Sequence, residues 1–194
     1  MKVIKNYLYN LSYQILTIIL PIITVPYVTR IFTSEALGNY IFYNSIVSYF
    51  SLFAMLGIGV YGTKQIAAAS DVSSTFWNIY AIQLIASILA IAVYLIVAFS
   101  IPQMSGVIPL IVGITLFANM MDISWLFSGK EDFKKITIRN IVVRLIGVIS
   151  IFTFVKSSDD LYLYVFLIVI FDFLGQFVMW VPAKKFIKRP SFNA

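Results

Sequence analysis

The chain has 194 residues, of which 61% are hydrophobic and only 11% are charged. Soluble domains carry about 45–50% apolar and about 25% charged residues, so this composition excludes an ordinary soluble protein and predicts an all-α protein that crosses a membrane several times. Lysine and arginine outnumber aspartate and glutamate by 14 to 8. No segment is polar enough to form a basic soluble face, so the excess argues against nucleic-acid binding and is typical of positively charged cytoplasmic loops.

The chain contains neither cysteine nor histidine. Disulfides, thiolate nucleophiles, haem attachment and the usual zinc and non-haem iron sites are therefore excluded. The commonest general base is missing as well, and an enzyme would have to rely on Asp, Glu, Ser, Tyr or Lys alone. We therefore expect a protein that is not an enzyme and that holds neither a metal nor a cofactor.

A helix needs about 20 apolar residues to cross the hydrocarbon core of a membrane, and six segments of the chain meet this requirement. They are residues 11–29, 40–60, 76–99, 107–127, 138–155 and 161–181. The first segment follows Lys2 and Lys5, as the apolar part of a signal peptide would. It has no small-residue cleavage site and continues too far, so it predicts an uncleaved first membrane span.

The orientation of the spans follows from the distribution of lysine and arginine. With the N-terminus inside the cell, eleven of the 14 basic residues fall inside, namely Lys2, Lys5, Lys64, Lys130, Lys134, Lys135, Arg139, Lys184, Lys185, Lys188 and Arg189. Only Arg30 and Lys156 fall outside, and Arg144 lies within the fifth span. The sequence thus predicts six spans with both termini in the cytoplasm. All three tryptophans then occupy inner ends of spans, where interfacial tryptophans are expected, and they are Trp77, Trp125 and Trp180.

Polar residues and prolines in the first two spans each have two possible roles. Pro21 and Pro26 remove hydrogen bonds from the first span, which predicts either a structural kink or a helix that bends during transport. Asn44, Ser48 and Ser51 follow one another at helical spacing and therefore share one face of the second span. That face either packs closely against a neighbouring helix, as the glycines at the end of the span favour, or lines a water-filled cavity.

Asp122 and Arg144 are charged residues within the fourth and fifth spans, where charge is costly. Each lies about six residues from the inner end of its span, which corresponds to a depth of about 9 Å at 1.5 Å per residue. Because a short turn joins the two spans, an ion pair between these side chains would fix the helices in register. The alternative is that both charges line a site for cargo, extended by Asn119 and Asn140 one turn away.

Asp172 lies near the middle of the sixth span, and no basic residue of the six spans is expected at its depth. Such a carboxylate is a candidate coupling-ion or proton site, with Gln176 one turn further along. The alternative is a neutral acid bonded to a tyrosine, serine or asparagine. Arg30, at the outer end of the first span, either reaches the headgroups or binds an anionic substrate group, and Lys64 after the second span could contact a lipid phosphate.

Two stretches of the sequence resemble a known family. Residues 28–67 resemble the first helix pair of bacterial oligosaccharide flippases of the Wzx type, although the family's Arg-Glu-Ile-Ala-like motif reads KQIA from Lys64. Residues 122–140, DISWLFSGKEDFKKITIRN, resemble a more specific stretch of that family. The family pattern there is Asp-x-x-Trp-x-Phe-x-Gly-x-Glu-x-Phe, followed by a basic start of the fifth helix.

The resemblance implies a bacterial cytoplasmic membrane protein of the MOP superfamily, which also contains multidrug and toxin extruders (MATE) and lipid II flippases. Such flippases move undecaprenyl-diphosphate-linked sugars to the outer leaflet for polysaccharide biosynthesis, by alternating access between two six-helix lobes around an often cationic cavity. The implied partners are this lipid-linked sugar and the membrane lipids. The candidate residues for substrate binding or coupling are Arg30, Asn44, Lys64, Asp122, Arg144, Asp172 and Gln176.

Members of this family have about twice as many helices as residues 1–194 provide. We therefore expect the chain to form the N-terminal lobe, to lack the second lobe, and to need that lobe or another subunit for transport. A MATE-like cation antiporter lobe is the first alternative, and it would favour a more acidic cavity. A membrane enzyme of the same pathway, such as a polymerase or an acyltransferase, would need a large outer loop or a catalytic cluster. A partner protein that does not itself transport is the last alternative.

Overall fold

The computed structural model describes the backbone of residues 2–188 and the side chains of residues 11–188 except Tyr13. Arg189 and the side chains of Lys2 and Lys5, all predicted to lie inside, therefore fall outside the described residues. Within the described part the chain forms nine α-helices. They are α1 (Lys2–Ile31), α2 (Ser34–Met55), α3 (Ile58–Ala68), α4 (Val72–Ser100), α5 (Val107–Met121), α6 (Ser124–Gly129), α7 (Phe133–Phe154), α8 (Leu161–Val178) and α9 (Trp180–Ala183).

Six stretches of these helices are long and apolar enough to cross a membrane, which confirms the predicted all-α membrane fold with six spans. They are Gln14–Ile31, Ser34–Ala68, Val72–Ser100, Val107–Gly129, Phe133–Phe154 and Ser158–Ala183. With 29 residues, α4 is the third span on its own. At 1.5 Å per residue it is about 43 Å long, more than the hydrocarbon core of about 30 Å. The orientation with both termini in the cytoplasm stays a prediction.

The first span is one helix despite its two prolines. α1 continues through Pro21 and Pro26 and ends at Ile31. The hydroxyl of Thr24 donates to the carbonyl of Leu20 at 2.9 Å, so a side chain supplements the backbone hydrogen bonds next to the prolines. Pro21 and Thr24 also border the cavity described below, so the stretch weakened by proline faces it.

The second predicted span is divided into α2 and α3 at Leu56 and Gly57, whose φ angles of 43° and 71° are both left-handed. Glycine takes this conformation at no steric cost, whereas in leucine it costs about 1–3 kcal/mol. α3 extends beyond the end predicted for the second span, and it carries Lys64 on an exposed face. The glycine at the end of α2 therefore permits a sharp break in the span.

The fourth predicted span is also divided, into α5 and α6, at Asp122 and Ile123. The Oδ1 atom of Asp122 accepts a hydrogen bond from the backbone N–H of Ser124 at 2.8 Å. This bond satisfies one of the first N–H groups of α6, as a capping side chain does. We call residues 119–125 the α5–α6 corner.

Side chains from other helices satisfy the carbonyls that are freed at the α5–α6 corner. Gln83 of α4 donates its Nε2 group to the carbonyls of Asn119 and Asp122, both at 2.9 Å. Trp180 of α9 donates its indole N–H to the carbonyl of Met121, also at 2.9 Å. Because an unpaired carbonyl in a membrane costs several kcal/mol, these donors are what allows the helix to break at this depth.

The second halves of the two divided spans, α3 and α6, pack against each other through two glycines. A Cβ atom at Gly62 would lie 2.7 Å from Cε3 of Trp125. A Cβ atom at Gly129 would lie 2.7 Å from Cβ of Ile66 and 2.8 Å from the carbonyl oxygen of Thr63. A larger residue at either position would force the neighbouring atoms to move, so the two glycines allow α3 and α6 to pack closely.

Phe76 of α4 lies at the centre of an aromatic cluster that contains all three tryptophans. Its ring centroid is 5.2 Å from those of Trp77 and Trp125 and 6.0 Å from that of Trp180. The tryptophans therefore lie at one end of the bundle, as their positions in the predicted topology require. Trp125 is only 2% exposed, so its ring packs among the helices, and its position at the membrane interface stays a prediction.

Candidate substrate cavity

A cavity of about 480 Å³ lies among α1, α2, α5, α7 and α8. It forms there because α8 packs against both α5 and α7, while α1 packs on α7 and α2 on α5. The rest of its wall is apolar, but its polar lining is unusually rich for a protein of this composition. That lining consists of Thr24, Tyr40, Asn44, Thr115, Arg139, Asn140, Arg144, Tyr164 and Asp172.

α7 supplies the positive charge of the cavity. Asn140 and Arg144 are four positions apart, so they share one face of the helix, and Arg139 lies beside them. All three line the cavity. α7 begins at Phe133, which places Arg139 inside the helix, close to the start that the sequence predicted for the fifth span. The basic start of the fifth span is therefore part of the cavity wall.

α8 supplies the negative charge of the cavity, and close packing against α7 sets where it lies. A short turn joins the two helices, so they run antiparallel. A Cβ atom at Gly175 would lie 2.8 Å from Cγ2 of Val143, and one at Gly147 would lie 3.9 Å from the ring of Phe171. This register places Asp172 of α8 within about two turns of Arg144 on α7.

Asp172 is not alone at its depth. It shares the cavity with Arg139 and Arg144, and the packing of Gly175 on Val143 sets Asp172 close to the level of Arg144. The prediction that no basic residue matches its depth is therefore wrong. The sequence estimate counted residues from the end of each span. It took no account of how the packed helices are offset along their axes, or of the length of an arginine side chain, which spans several ångströms.

Asp122 acts at the α5–α6 corner and does not line the cavity. The residue that it caps, Ser124, accepts a hydrogen bond from Nη2 of Arg139 at 2.9 Å. Asp122 is thus connected to the charge of the cavity through Ser124 and Arg139. A direct ion pair between Asp122 and Arg144 stays a prediction.

Three further predicted residues lie away from the cavity lining. Arg30 is exposed in the last turn of α1, and Lys64 is exposed on α3. Gln176 follows Asp172 by one turn of α8, and its Oε1 atom is buried without a hydrogen-bond partner among the described residues. Of the candidate residues that the sequence suggested, the cavity brings together Asn44, Arg144 and Asp172.

Several residues of the cavity lining carry no clear signal in the sequence. Asn140 extends the polar lining, as its spacing from Arg144 predicts, whereas Arg139 next to it is not among the candidate residues that the sequence suggested. Its position at the basic start of the fifth helix could have identified it. Tyr40, Thr115 and Tyr164 carry no comparable pattern, because a single hydroxyl in an apolar span is as compatible with packing as with a cavity.

The polar side chains of the cavity offer hydrogen-bond donors and acceptors of several kinds. Among residues 2–188, no group of three potential metal ligands comes together. Guanidinium groups donate several hydrogen bonds in a fixed plane that matches the oxygens of phosphate. The amides of Asn44 and Asn140 both donate and accept, as the hydroxyl groups of a sugar require.

Comparison with known proteins agrees with this architecture. Residues 3–194 match the model of a family described as polysaccharide biosynthesis protein. Two curated proteins that share the name "Putative O-antigen transporter" are also similar to the chain. The one from Escherichia coli (strain K12) is 26% identical over 168 residues, which cover 81% of this chain and 39% of the relative. The one from Shigella dysenteriae is 27% identical over 145 residues, which cover 73% of this chain and 37% of the relative.

The chain spans about two-fifths of the length of these relatives. No solved structure matches it. The family match confirms the resemblance to Wzx-type flippases in residues 28–67 and 122–140, and together with the six spans it identifies a multi-pass bacterial membrane protein. The chain belongs to the polysaccharide biosynthesis protein family.

Proposed function

We propose that this chain takes part in polysaccharide export by moving an undecaprenyl-diphosphate-linked oligosaccharide across the bacterial cytoplasmic membrane. Its role is transport and not catalysis. The family and the names of the two relatives support polysaccharide export. The observation that carries the lipid-linked substrate is the pair of arginines, Arg139 and Arg144, in one cavity with polar side chains around them.

A diphosphate fits this pair of arginines for a physical reason. Hydrogen bonds between a guanidinium group and a phosphate oxygen are charge-assisted and about twice as strong as neutral ones. Arg139 and Arg144 are five positions apart on α7 and line the same cavity, so two such groups can bind the two phosphates of one diphosphate. The amide of Asn44, on α2, lines the same cavity and would meet the first sugar. The isoprenoid chain would remain among the lipids.

Asp172 gives the cavity a means of releasing its cargo. A carboxylate and a diphosphate are both anions, so they compete for the same two arginines. When cargo leaves, Asp172 can take its place beside Arg144 and prevent immediate rebinding. We therefore expect removal of this carboxylate charge to tighten the binding of a diphosphate lipid while slowing its transport.

The proposal includes a second six-helix unit, contributed by the same polypeptide or by another subunit. Arg144 and Asp172 are exposed in a cavity that five helices border. A second unit facing this cavity would enclose the cargo and would provide the partner for alternating access. The greater length of the two relatives supports this part of the proposal.

The decisive test is binding of undecaprenyl diphosphate to the purified chain in lipid nanodiscs. We expect Arg139→Ala and Arg144→Ala each to weaken binding by about tenfold, since a hydrogen bond to a charged group contributes about 1.5–3 kcal/mol. Lys134→Ala is the matched control, because it removes the same charge from an exposed position at the start of α7. The Lys134→Ala variant should bind undecaprenyl diphosphate with the same affinity as the unchanged protein.

Two outcomes would contradict the proposal. Undiminished binding by the Arg139→Ala, Arg144→Ala double variant would exclude these side chains as the diphosphate site. Binding of a lipophilic cation such as tetraphenylphosphonium in place of the diphosphate lipid, with loss of that binding in Asp172→Asn, would instead favour a MATE-like cation antiporter.

A further inference from the structure

The cavity and the α5–α6 corner are joined by one side chain. Arg139 lines the cavity, and its Nη2 atom donates to the hydroxyl of Ser124, the first residue of α6, at 2.9 Å. Ser124 lies 15 positions before Arg139 in the chain, so this contact exists only because α6 folds back toward α7. A residue at the break in the fourth span therefore contacts a charged side chain of the cavity directly.

The position of Ser124 depends on the hydrogen bonds of the α5–α6 corner. The backbone N–H of Ser124 donates to Asp122, and the carbonyl of Asp122 accepts from Gln83. Gln83 also accepts the indole N–H of Trp125 at 3.0 Å, so the first turn of α6 is bonded to α4 on two sides. Gln83 itself is 0% exposed, which leaves water no access to compete for these bonds.

We infer that Ser124 is a positioning residue for Arg139, and that the α5–α6 corner held by Gln83 sets where the guanidinium group lies in the cavity. An arginine side chain has four rotatable bonds, and holding it in one place costs about 2 kcal/mol of rotamer entropy. A fixed hydroxyl at its tip reduces the number of rotamers that it samples. This hydrogen bond couples the position of α6 to that of Arg139. Movement of α6 would displace Arg139, and an anion that draws Arg139 away from Ser124 would remove a contact that holds α6.

This inference rests on the proposed function only for the identity of the anion. The restraint of Arg139 by Ser124 itself exists in the protein without a ligand. The two can therefore be tested by separate measurements on the same preparations of the whole chain.

The first measurement is the rate at which phenylglyoxal, an arginine-specific reagent, modifies Arg139 in detergent-solubilised protein without ligand, followed by mass spectrometry. We expect Ser124→Ala to raise this rate by about threefold to tenfold, the range that one hydrogen bond provides. The rate at Arg30 serves as the internal reference. Ser128→Ala is the matched control, because it removes a hydroxyl from the same short helix, and it should leave the rate unchanged.

Gln83→Leu provides a second route to the same result without altering Ser124 or Arg139. It removes the bonds to the α5–α6 corner and should also raise the modification rate of Arg139. Circular dichroism establishes that both variants keep their helices. An unchanged rate at Arg139 in folded Ser124→Ala would overturn the inference, as would an equal rise in Ser128→Ala.

The second measurement is the affinity of the same variants for undecaprenyl diphosphate in nanodiscs. We expect Ser124→Ala to weaken binding by about threefold, since Arg139 must be ordered at the moment of binding. If the unchanged protein does not bind this lipid at all, the proposed function fails, whereas the modification rates still decide the inference. If Ser124→Ala makes Arg139 more reactive but leaves the affinity for undecaprenyl diphosphate unchanged, the restraint of Arg139 does not contribute to binding. That result would overturn the connection between Ser124 and cargo binding.

Discussion

The amide side chain of Gln83 on α4 bonds the indole of Trp125 on α6, with Nε1 of the tryptophan 3.0 Å from Oε1 of the glutamine. The same amide donates to the carbonyls of Asn119 and Asp122. One buried polar residue thus satisfies two carbonyls and one N–H at the point where the fourth span breaks. Without it, the carbonyl of Asp122 and the indole N–H of Trp125 would lose this partner in an apolar environment.

Replacing Gln83 by leucine should therefore destabilise the protein. Leucine fills most of the same volume but leaves the indole of Trp125 and the carbonyl of Asp122 without this partner. We expect a loss of about 2 kcal/mol or more in the free energy of unfolding, because each unsatisfied buried group costs about 1–3 kcal/mol. The measurement is the thermal unfolding midpoint in detergent, followed by circular dichroism.

Ser87→Ala is the control for this substitution. Ser87 lies one turn further along α4, is 0% exposed, and its hydroxyl has no hydrogen-bond partner among the described residues. Its removal should leave the midpoint unchanged or raise it slightly. A drop in Ser87→Ala as large as that in Gln83→Leu would show that any change on this face of α4 is destabilising, and that the corner is not the cause.

The contact between α3 and α6 gives a second prediction. Gly129→Ala would place a Cβ atom 2.8 Å from the carbonyl oxygen of Thr63 and 2.7 Å from Cβ of Ile66, so the backbone of one helix must move. We expect a loss of about 1–3 kcal/mol, as for other overpacked sites, seen as a lower unfolding midpoint.

Gly59→Ala is the matched glycine substitution within α3. No atom lies within 4 Å of a Cβ at this position, and alanine is the better helix former by about 0.5–1 kcal/mol. Its midpoint should stay the same or rise. Equal midpoints for the two variants would refute the close approach of α3 and α6.

Surface polysaccharide in the bacterium that encodes this chain gives a third prediction. With the substitutions made in the chromosomal gene, Arg144→Ala should reduce the surface polysaccharide about tenfold through weaker cargo binding. Asp172→Asn should reduce it as well, but through slower release. Immunoblots must show unchanged amounts of the protein in the membrane.

Asp159→Asn is the control for the acidic substitution, because it removes the same charge from an exposed turn before α8. It should leave the polysaccharide at its normal level. Normal polysaccharide in both Arg144→Ala and Asp172→Asn would exclude the cavity charges from transport.

The predicted topology can be tested by labelling single cysteines, because the natural sequence contains none. A cysteine in place of Gln103, in the short turn between α4 and α5, should react with a membrane-impermeant maleimide in intact cells. A cysteine in place of Lys134, at the start of α7, should react only after the cells are opened. The reverse pattern would mean that the positive charge bias has assigned the two sides wrongly.

Several members of the cavity were foreseeable because they are polar residues in apolar spans. Arg144 and Asp172 stand out in this way, and helical spacing indicates that Asn140 lies on the same face as Arg144. Arg139 did not stand out, because a basic residue near the inner end of a span is also what the charge bias of membrane proteins predicts. The partnership of Arg139 with Ser124 could not be predicted, since it depends on α6 turning back toward α7.

The sequence by itself determined the number of spans, the helical class and the family, because hydropathy and short motifs are local properties of the chain. It also determined that charged residues, Asp122, Arg144 and Asp172, interrupt the apolar spans. Only the tertiary structure decided which of these charges meet and where the second and fourth spans break. Those outcomes depend on contacts between residues that are distant in the chain. Gln83 and Trp125, for example, are 42 positions apart, and their hydrogen bond stabilises the protein only once the helices have packed.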